Sequence, residues 1–367
     1  MMKDYNKREQ ERQKLELTRQ SKYNLTTVSN DVLLYKIIPQ LNLKDLLSLR
    51  ETNEQLRQIN DEFWHNIFLR YFKHNEMLQY KNERNWFSLT QLCFVLEIFV
   101  KQYKLNITLK ELYETNVLNL SNMDIINLPK EIGLLKNLVT LKLHHNQLQK
   151  LPNEIGELEN LKHLDISHNQ LTIIPDTIEN LSDLQELNLS NNQLNNLPKQ
   201  IELLSNLQKL DASYNNINNI PSKIGNLDNL QELNLSNNQL NILPKQIELL
   251  SNLRKLDLNH NKIKRIAYNI YELKNLENLL LKDNLLTEIP KAFGYYLTKL
   301  TFLDLSINKL QKLPEEFGEL INLVYLNIEH NQITELPQNF NQLINLEILY
   351  VDPDVNVPLS MKHLLHK

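Results

Sequence analysis

The chain has 367 residues, 41% of them apolar, with 40 Lys and Arg against 44 Asp and Glu. That length exceeds one ordinary domain, and a formal charge of −4 lacks the basic footprint of a nucleic-acid-binding protein. A single cysteine, Cys93, excludes an internal disulfide and suits a reducing compartment. Residues 1–27 read as a charged N-terminal tail, its first 22 residues disordered or a lone frayed helix, without the apolar core of a secretion signal. The longest apolar run, LCFVLEIFV at 92–100, contains Glu97 and is too short to cross a bilayer. The expectation is a cytoplasmic, non-secreted protein with no membrane partner, acting in a host cytosol if its source is viral.

Residues 28–72 come next, opening VSNDVLLYKIIPQLNLKDLLSLR. Asn30 or Asp31 can cap a first helix whose apolar stripe is Val32, Leu33, Ile37 and Leu41, and Pro39 ends or kinks it. The break Asn42-Leu43-Lys44 leads to a second helix with Leu46, Leu47 and Leu49, and a third stretch closes at Phe63-Trp64. Three helices this short bury too little alone, which invites a partner. The segment resembles the F-box: Val28, Asp31, Val32, Ile37, Leu41, Asp45, Leu46, Phe63 and Trp64 fill its slots. Ser29 stands where the pattern has Pro, and Leu56 where Trp is common. The resemblance implies docking onto a Skp-type adaptor and, through it, a cullin, with Val28, Val32, Ile37, Leu41, Leu43 and Leu46 making the adaptor contacts. A plain helical cap for the remainder of the chain would use the same residues.

Residues 73–112 form a helical linker and N-terminal cap. Trp86, Leu89, Leu92, Cys93, Leu96, Phe99, Val100 and Tyr103 recur at helical spacing, predicting a helix that covers the first edge of a sheet. Cys93 lies on the apolar face and reads as a structural thiol.

From 113 to 354 one phrase repeats: L-x-x-L-x-L-x-x-N-x-L/I-x-x-L/I-P-x-x-I/F-x-x-L-x-x. Its Asn recurs at 146, 169, 192, 215, 238, 261, 284, 308 and 331, every 23 residues except the last-but-one step of 24. Met123 and Asp354 hold that slot in degenerate first and last copies. Residues 184–206 and 230–252 differ only at Asn196 and Ile242, the mark of a duplicated block. About ten copies in one phase resemble the leucine-rich repeat family. The implied fold class is α/β, a solenoid with a parallel sheet on its concave face, preceded by a small all-α domain. Strand alternation sends the leucines inward, the Asn amide satisfies buried backbone groups, and the L-P-x-x-I/F half forms the convex side.

The five glycines are scattered singly, each after Ile or Phe in the phrase, so no phosphate-cradling or dinucleotide loop exists. No Ser, His and Asp converge, no H-E-x-x-H occurs, and the reading is non-enzymatic, without cofactor. His144, His145, His163 and His168 project from adjacent strands, yet solvent-facing histidines without a Cys make a weak metal set. The middle copies present Gln185, Glu186, Asn188, Gln208, Lys209, Asp211, Gln231, Glu232 and Asn234 on the concave face. Toward the C-terminus Leu280, Phe302, Ile307, Tyr325, Ile348 and Tyr350 take those outward slots, with Phe302, Tyr325 and Ile348 in one row. Such a row suits an unknown target protein; alternatively residues 346–367, including the 355–367 cap or tail, fold back over it. Ala267 in place of a repeat Pro, and an extra residue at Gly294-Tyr295-Tyr296-Leu297, predict a loop beside this face. Two functions stay open. One is the substrate-recognition subunit of a cullin-RING ubiquitin ligase, which the F-box resemblance implies. The other is a free signalling scaffold, similar to Ras-pathway leucine-rich-repeat proteins.

Overall fold

The computed structural model describes residues 61–72, 77, 86–266 and 268–364. The six adaptor-contact candidates, Val28, Val32, Ile37, Leu41, Leu43 and Leu46, lie outside these residues, as does Ala267. The chain divides into two compact units between Leu112 and Tyr113.

In the first unit, helix α1 (Asp61–Phe72) packs against α2 (Trp86–Gln102). The stretch expected to close at Phe63-Trp64 thus runs on as helix through Phe72. Trp64, Ile67 and Phe68 bury one stripe of α1, and Leu89, Leu92, Cys93, Leu96 and Phe99 bury the predicted stripe of α2. Cys93 is fully buried, and burial, reinforced by Glu97 one turn on, pushes its thiol up to about 12. At that value the thiolate is absent near neutral pH, so the side chain is packing rather than nucleophile. Helix α3 (Leu109–Glu114) starts with a capping box: Thr108 Oγ1 accepts the Glu111 N–H, and the Glu111 carboxylate accepts the Thr108 N–H at 2.7 Å.

The second unit is one parallel sheet of eleven three-residue strands in chain order. They are β1 (Val117–Asn119), β2 (Thr140–Lys142), β3 (His163–Asp165), β4 (Glu186–Asn188), β5 (Lys209–Asp211) and β6 (Glu232–Asn234). Then come β7 (Lys255–Asp257), β8 (Asn278–Leu280), β9 (Phe302–Asp304), β10 (Tyr325–Asn327) and β11 (Ile348–Tyr350). The central residue of every strand is a leucine no more than 4% exposed. Its two neighbours face the concave side. At about 4.8 Å per strand the sheet is on the order of 50 Å long.

The ladder asparagines clamp neighbouring copies. Asn192 Nδ2 donates to Ile166 O of the preceding copy and Leu189 O of its own, both at 3.0 Å. Its Oδ1 accepts the Leu171 N–H at 2.9 Å, so one amide satisfies backbone groups of two repeats. A second ladder, absent from the sequence pattern above, lies where the chain returns toward the strand. Asn160, Asn206, Asn229, Asn252 and Asn275 each donate from Nδ2 to a carbonyl 24 residues back, at 2.8–2.9 Å.

On the convex side most prolines open a 3-10 turn of five residues, as at Lys199–Leu203, whose Ile201 is fully buried. The 24-residue copy differs in one hydrogen bond. Leu320 N donates three residues back to Phe317 O, whereas Leu297 N donates four residues back to Phe293 O. The extra residue turns a 3-10 turn into the α-helical turn α4 (Ala292–Tyr296). It therefore lies on the convex side, not in a loop beside the concave face. Gly294 sits in that turn because a Cβ there would lie 1.7 Å from Glu316 O of the next copy.

The C-terminal end is closed by Asp352. Interior copies donate the N–H groups around the ladder Asn to the next copy's carbonyls, as Asn308 N does to His330 O. In the last full copy His330 N and Asn331 N donate instead to the Asp352 carboxylate, at 2.8 and 3.1 Å. Asn356 bridges to Glu335, and Pro358 precedes a final 3-10 turn, Leu359–Leu364, with Met361 buried. Residues 355–364 thus continue the convex half of a repeat. They do not fold back over the aromatic row.

Candidate functional site

Three positions of each copy build the concave face. The first strand residue and the third face outward, and a tight turn lies just before the ladder Asn. That turn residue has positive φ in copy after copy: Asn122, His145, His168, Asn191, Tyr214, Asn237, His260, Asp283, Ile307 and His330. Asn, Asp and His adopt the left-handed region more readily than other non-glycine residues, which explains their recurrence. It also marks Ile307, at φ 55°, as the strained member, since a β-branched side chain crowds the backbone there. The sequence placed Ile307 among the outward residues but did not reveal the turn that holds it.

The third strand position has a structural duty. Asp165, Asn188, Asp211, Asn234 and Asp304 each accept, through Oδ1, the backbone N–H two residues on, at 2.9–3.1 Å. These polar side chains of the concave face therefore brace the strand ends. Leu280 and Tyr350 occupy this slot without such an acceptor.

Along the first strand position the face has two zones. In register across β3 to β7 stand His163, then Glu186, Lys209, Glu232 and Lys255, these last four alternating in charge. His163 meets Glu186 at 3.1 Å, and Lys209 meets Glu186 at 3.8 Å and Glu232 at 3.3 Å. These exposed pairs contribute roughly 0–1 kcal/mol each. They line a shallow groove of about 340 Å³ with Asp165, Asp211 and their neighbours. Further along, the same row becomes Asn278, Phe302, Tyr325 and Ile348. Phe302 and Tyr325 stack face to face, centroids 4.1 Å apart and planes at 3°, and Tyr350 tilts toward Tyr325 at 5.8 Å. Leu280, Phe302, Tyr325, Ile348 and Tyr350 are half-buried and Ile307 is exposed. The six sequence candidates therefore lie on four adjacent strand copies of one face. The adjoining rim is mixed: half-buried Val324 and exposed Ile344 share it with Lys299, Thr301, Asn322, Asn345 and Glu347.

Ionisable groups respond to this setting. The Tyr325 phenol is raised, first by burial and then by Asp304, Tyr350 and Glu329, against the opposing hydrogen bond from Asn327. Burial likewise raises the Asp257 carboxyl. His168 is lowered, first by burial, then by His145. The His145 and His168 rings stack at 4.1 Å while His163 turns to Glu186, so the four histidines do not converge. Among the described residues no three His, Cys, Asp or Glu side chains are grouped to hold a metal ion. No helix among them is long and apolar enough to cross a membrane.

Comparison with known proteins agrees with this geometry. A family model described as a leucine-rich repeat region matches residues 87–193 and 187–279, and a second, leucine rich repeat, matches 274–333. A leucine-rich-repeat protein structure from Leptospira interrogans is 39% identical, over 68% of this chain and 69% of that one, with TM-score 0.59. The plant peptide hormone receptor RGFR1 in complex with RGF2 is 33% identical over 62% of this chain and 38% of the receptor, TM-score 0.56. The Drosophila Toll–Spatzle complex is 25% identical over 66% of this chain and 37% of the matched chain, TM-score 0.55. A search of curated proteins gave no match.

Proposed function

Because the chain belongs to the leucine-rich repeat family, we propose that it is a protein-binding scaffold whose target docks on the C-terminal third of the concave face. The stacked Phe302–Tyr325 pair carries this reading. Every earlier strand of that row from β3 to β7 holds a charged residue or histidine, while here the repeat substitutes rigid apolar area. Rigid aromatic anchors are what protein interfaces concentrate energy in. Two similar structures, the RGFR1 and Toll complexes, are of repeat proteins bound to partners, which supports a protein as the target.

The finer reading makes the scaffold a substrate receptor. Residues 28–68 dock a Skp-type adaptor, the adaptor brings a cullin, and the solenoid holds a target beside the conjugating enzyme in the cytosol. The chain itself performs no chemistry; it raises the local concentration of the target. The support is the F-box-like series Val28, Val32, Ile37, Leu41, Leu43 and Leu46, placed before a repeat array. The family matches begin at residue 87, so this part rests on the sequence resemblance. The test is affinity purification of the full chain from eukaryotic cells beside a Val32→Asp, Ile37→Asp double variant. Adaptor and cullin should accompany the wild type and be lost from the variant. Equal recovery with both would refute adaptor docking through these residues, and recovery with neither would leave a scaffold that works without a ligase.

A further inference from the structure

Resting on that docking role, we propose that the C-terminal concave face selects a basic segment of its partner, with Lys or Arg side chains seated beside the aromatic row. The first observation is an asymmetry of charge. Outward slots of β8 to β11 and their turns carry Glu277, Asp283, Asp304, Glu329, Glu347 and Asp352, against the single cation Lys282. Over β2 to β7 the same slots balance.

The second observation is how those charges are engaged. In the balanced zone Glu186 and Glu232 face Lys209 across the ladder. At the border of the two zones Arg254 and His260 of the β7 copy meet Glu277 and Asp283 of the β8 copy, and at the far end Asp352 accepts backbone N–H groups. Asp304, Glu329 and Glu347, which border the aromatic row, have no cationic partner within ion-pair distance among the described residues. Asp304 is buried and held by the Ser306 N–H and hydroxyl, but an acidic or neutral partner covering Glu329 and Glu347 would strip water from their carboxylates without compensation. A guanidinium or ammonium group would be compensated twice, by a carboxylate and by the face of Tyr325 or Phe302. The Tyr325 phenol is raised chiefly by burial, and Asp304 and Glu329 add to the shift in the same direction.

The repeat supplies substitutions that change charge while leaving the brace intact. Asn188 and Asn234 occupy the Asp304 slot in other copies and accept the same backbone N–H. Ser190 and Ser236 occupy the Glu329 slot, and Lys209 the Tyr325 slot. Three fluorescein-labelled twelve-residue peptides, alternating Arg–Leu, Gln–Leu and Glu–Leu, are titrated by fluorescence anisotropy against the full chain at low salt. The Arg–Leu peptide should bind best. Asp304→Asn with Glu329→Ser should weaken it about tenfold, from a several-fold loss per charge. Tyr325→Lys should remove binding, and Asp165→Asn in the balanced zone should change nothing. If Gln–Leu or Glu–Leu binds as well and is lost only with Tyr325→Lys, the basic preference is overturned and the docking face stands. If Arg–Leu binding survives both the charge pair and Tyr325→Lys, or no peptide binds, the inference is overturned along with this placement of the docking face.

Discussion

Ile307 should be destabilising where it stands, and the repeat provides its own control. Its φ of 55° is fixed from both sides, because Ile307 N donates to Glu329 O at 2.9 Å and Ile307 O accepts the Asn284 N–H at 3.2 Å. A non-glycine residue held in this region costs about 1–3 kcal/mol, most for a β-branched side chain. Ile307→Asn relieves that strain and gives up about 1 kcal/mol of apolar burial, since the side chain is 38% exposed. The expected net gain is about 1 kcal/mol. Asn237 occupies the same turn at φ 54°, so Asn237→Ile should lose about 2 kcal/mol. Urea unfolding followed by circular dichroism measures both, with the midpoints moving in opposite directions at unchanged slope. If Ile307→Asn destabilises, or both substitutions shift the midpoint the same way, the strain argument is wrong. If Ile307 also contacts the partner, Ile307→Asn should weaken binding while stabilising the fold.

Other expectations rest on the same architecture. Asn238→Ala orphans the Ile217 N–H and the Ala212 and Leu235 carbonyls. At about 1–3 kcal/mol per unsatisfied group, partly relieved by water, urea unfolding should show a loss of about 3–5 kcal/mol. Gly294→Ala drives a Cβ toward Glu316 O and should lower stability by about 2–3 kcal/mol, as overpacking does. Asp183 breaks the second Asn ladder; Asp183→Asn should restore its donor and gain about 0.5–1 kcal/mol in the same assay. The Cys93 thiol, held near 12 by burial, should resist a thiol reagent in the native protein at pH 8 and react on denaturation.

The fold was legible because it is written many times. The Asn, Pro and Ile/Phe positions each recur with a fixed physical duty, and these dictate the strand leucines, the ladder and the convex turns. What was missed depends on neighbouring copies rather than on one copy's pattern. The glycines reflect close approach of the next turn, as at Gly294 beside Glu316. The extra residue was expected near the binding face, yet a change from three- to four-residue hydrogen bonding absorbs it on the convex side. The left-handed turn had a signal in its recurring Asn, Asp and His, masked by Tyr214 and Ile307. The difference between the duplicated blocks, Asn196 against Ile242, falls where Ile242 is 65% exposed, which is why drift there was tolerated. The aromatic row was legible since a period makes exceptions visible. Its stacking, and the lack of cation partners around it among the described residues, needed the geometry.

The most direct test of the docking face is site-specific photo-crosslinking of the full chain in eukaryotic cells. A photoreactive phenylalanine analogue is placed singly at Phe302, Tyr325 or Tyr350, and for comparison at Glu186 and Lys209 on the same concave sheet. A partner on the C-terminal third gives one heavier adduct from all three aromatic positions and none from the charged ladder. Adducts spread equally along the sheet, or confined to Glu186 and Lys209, would contradict the assignment.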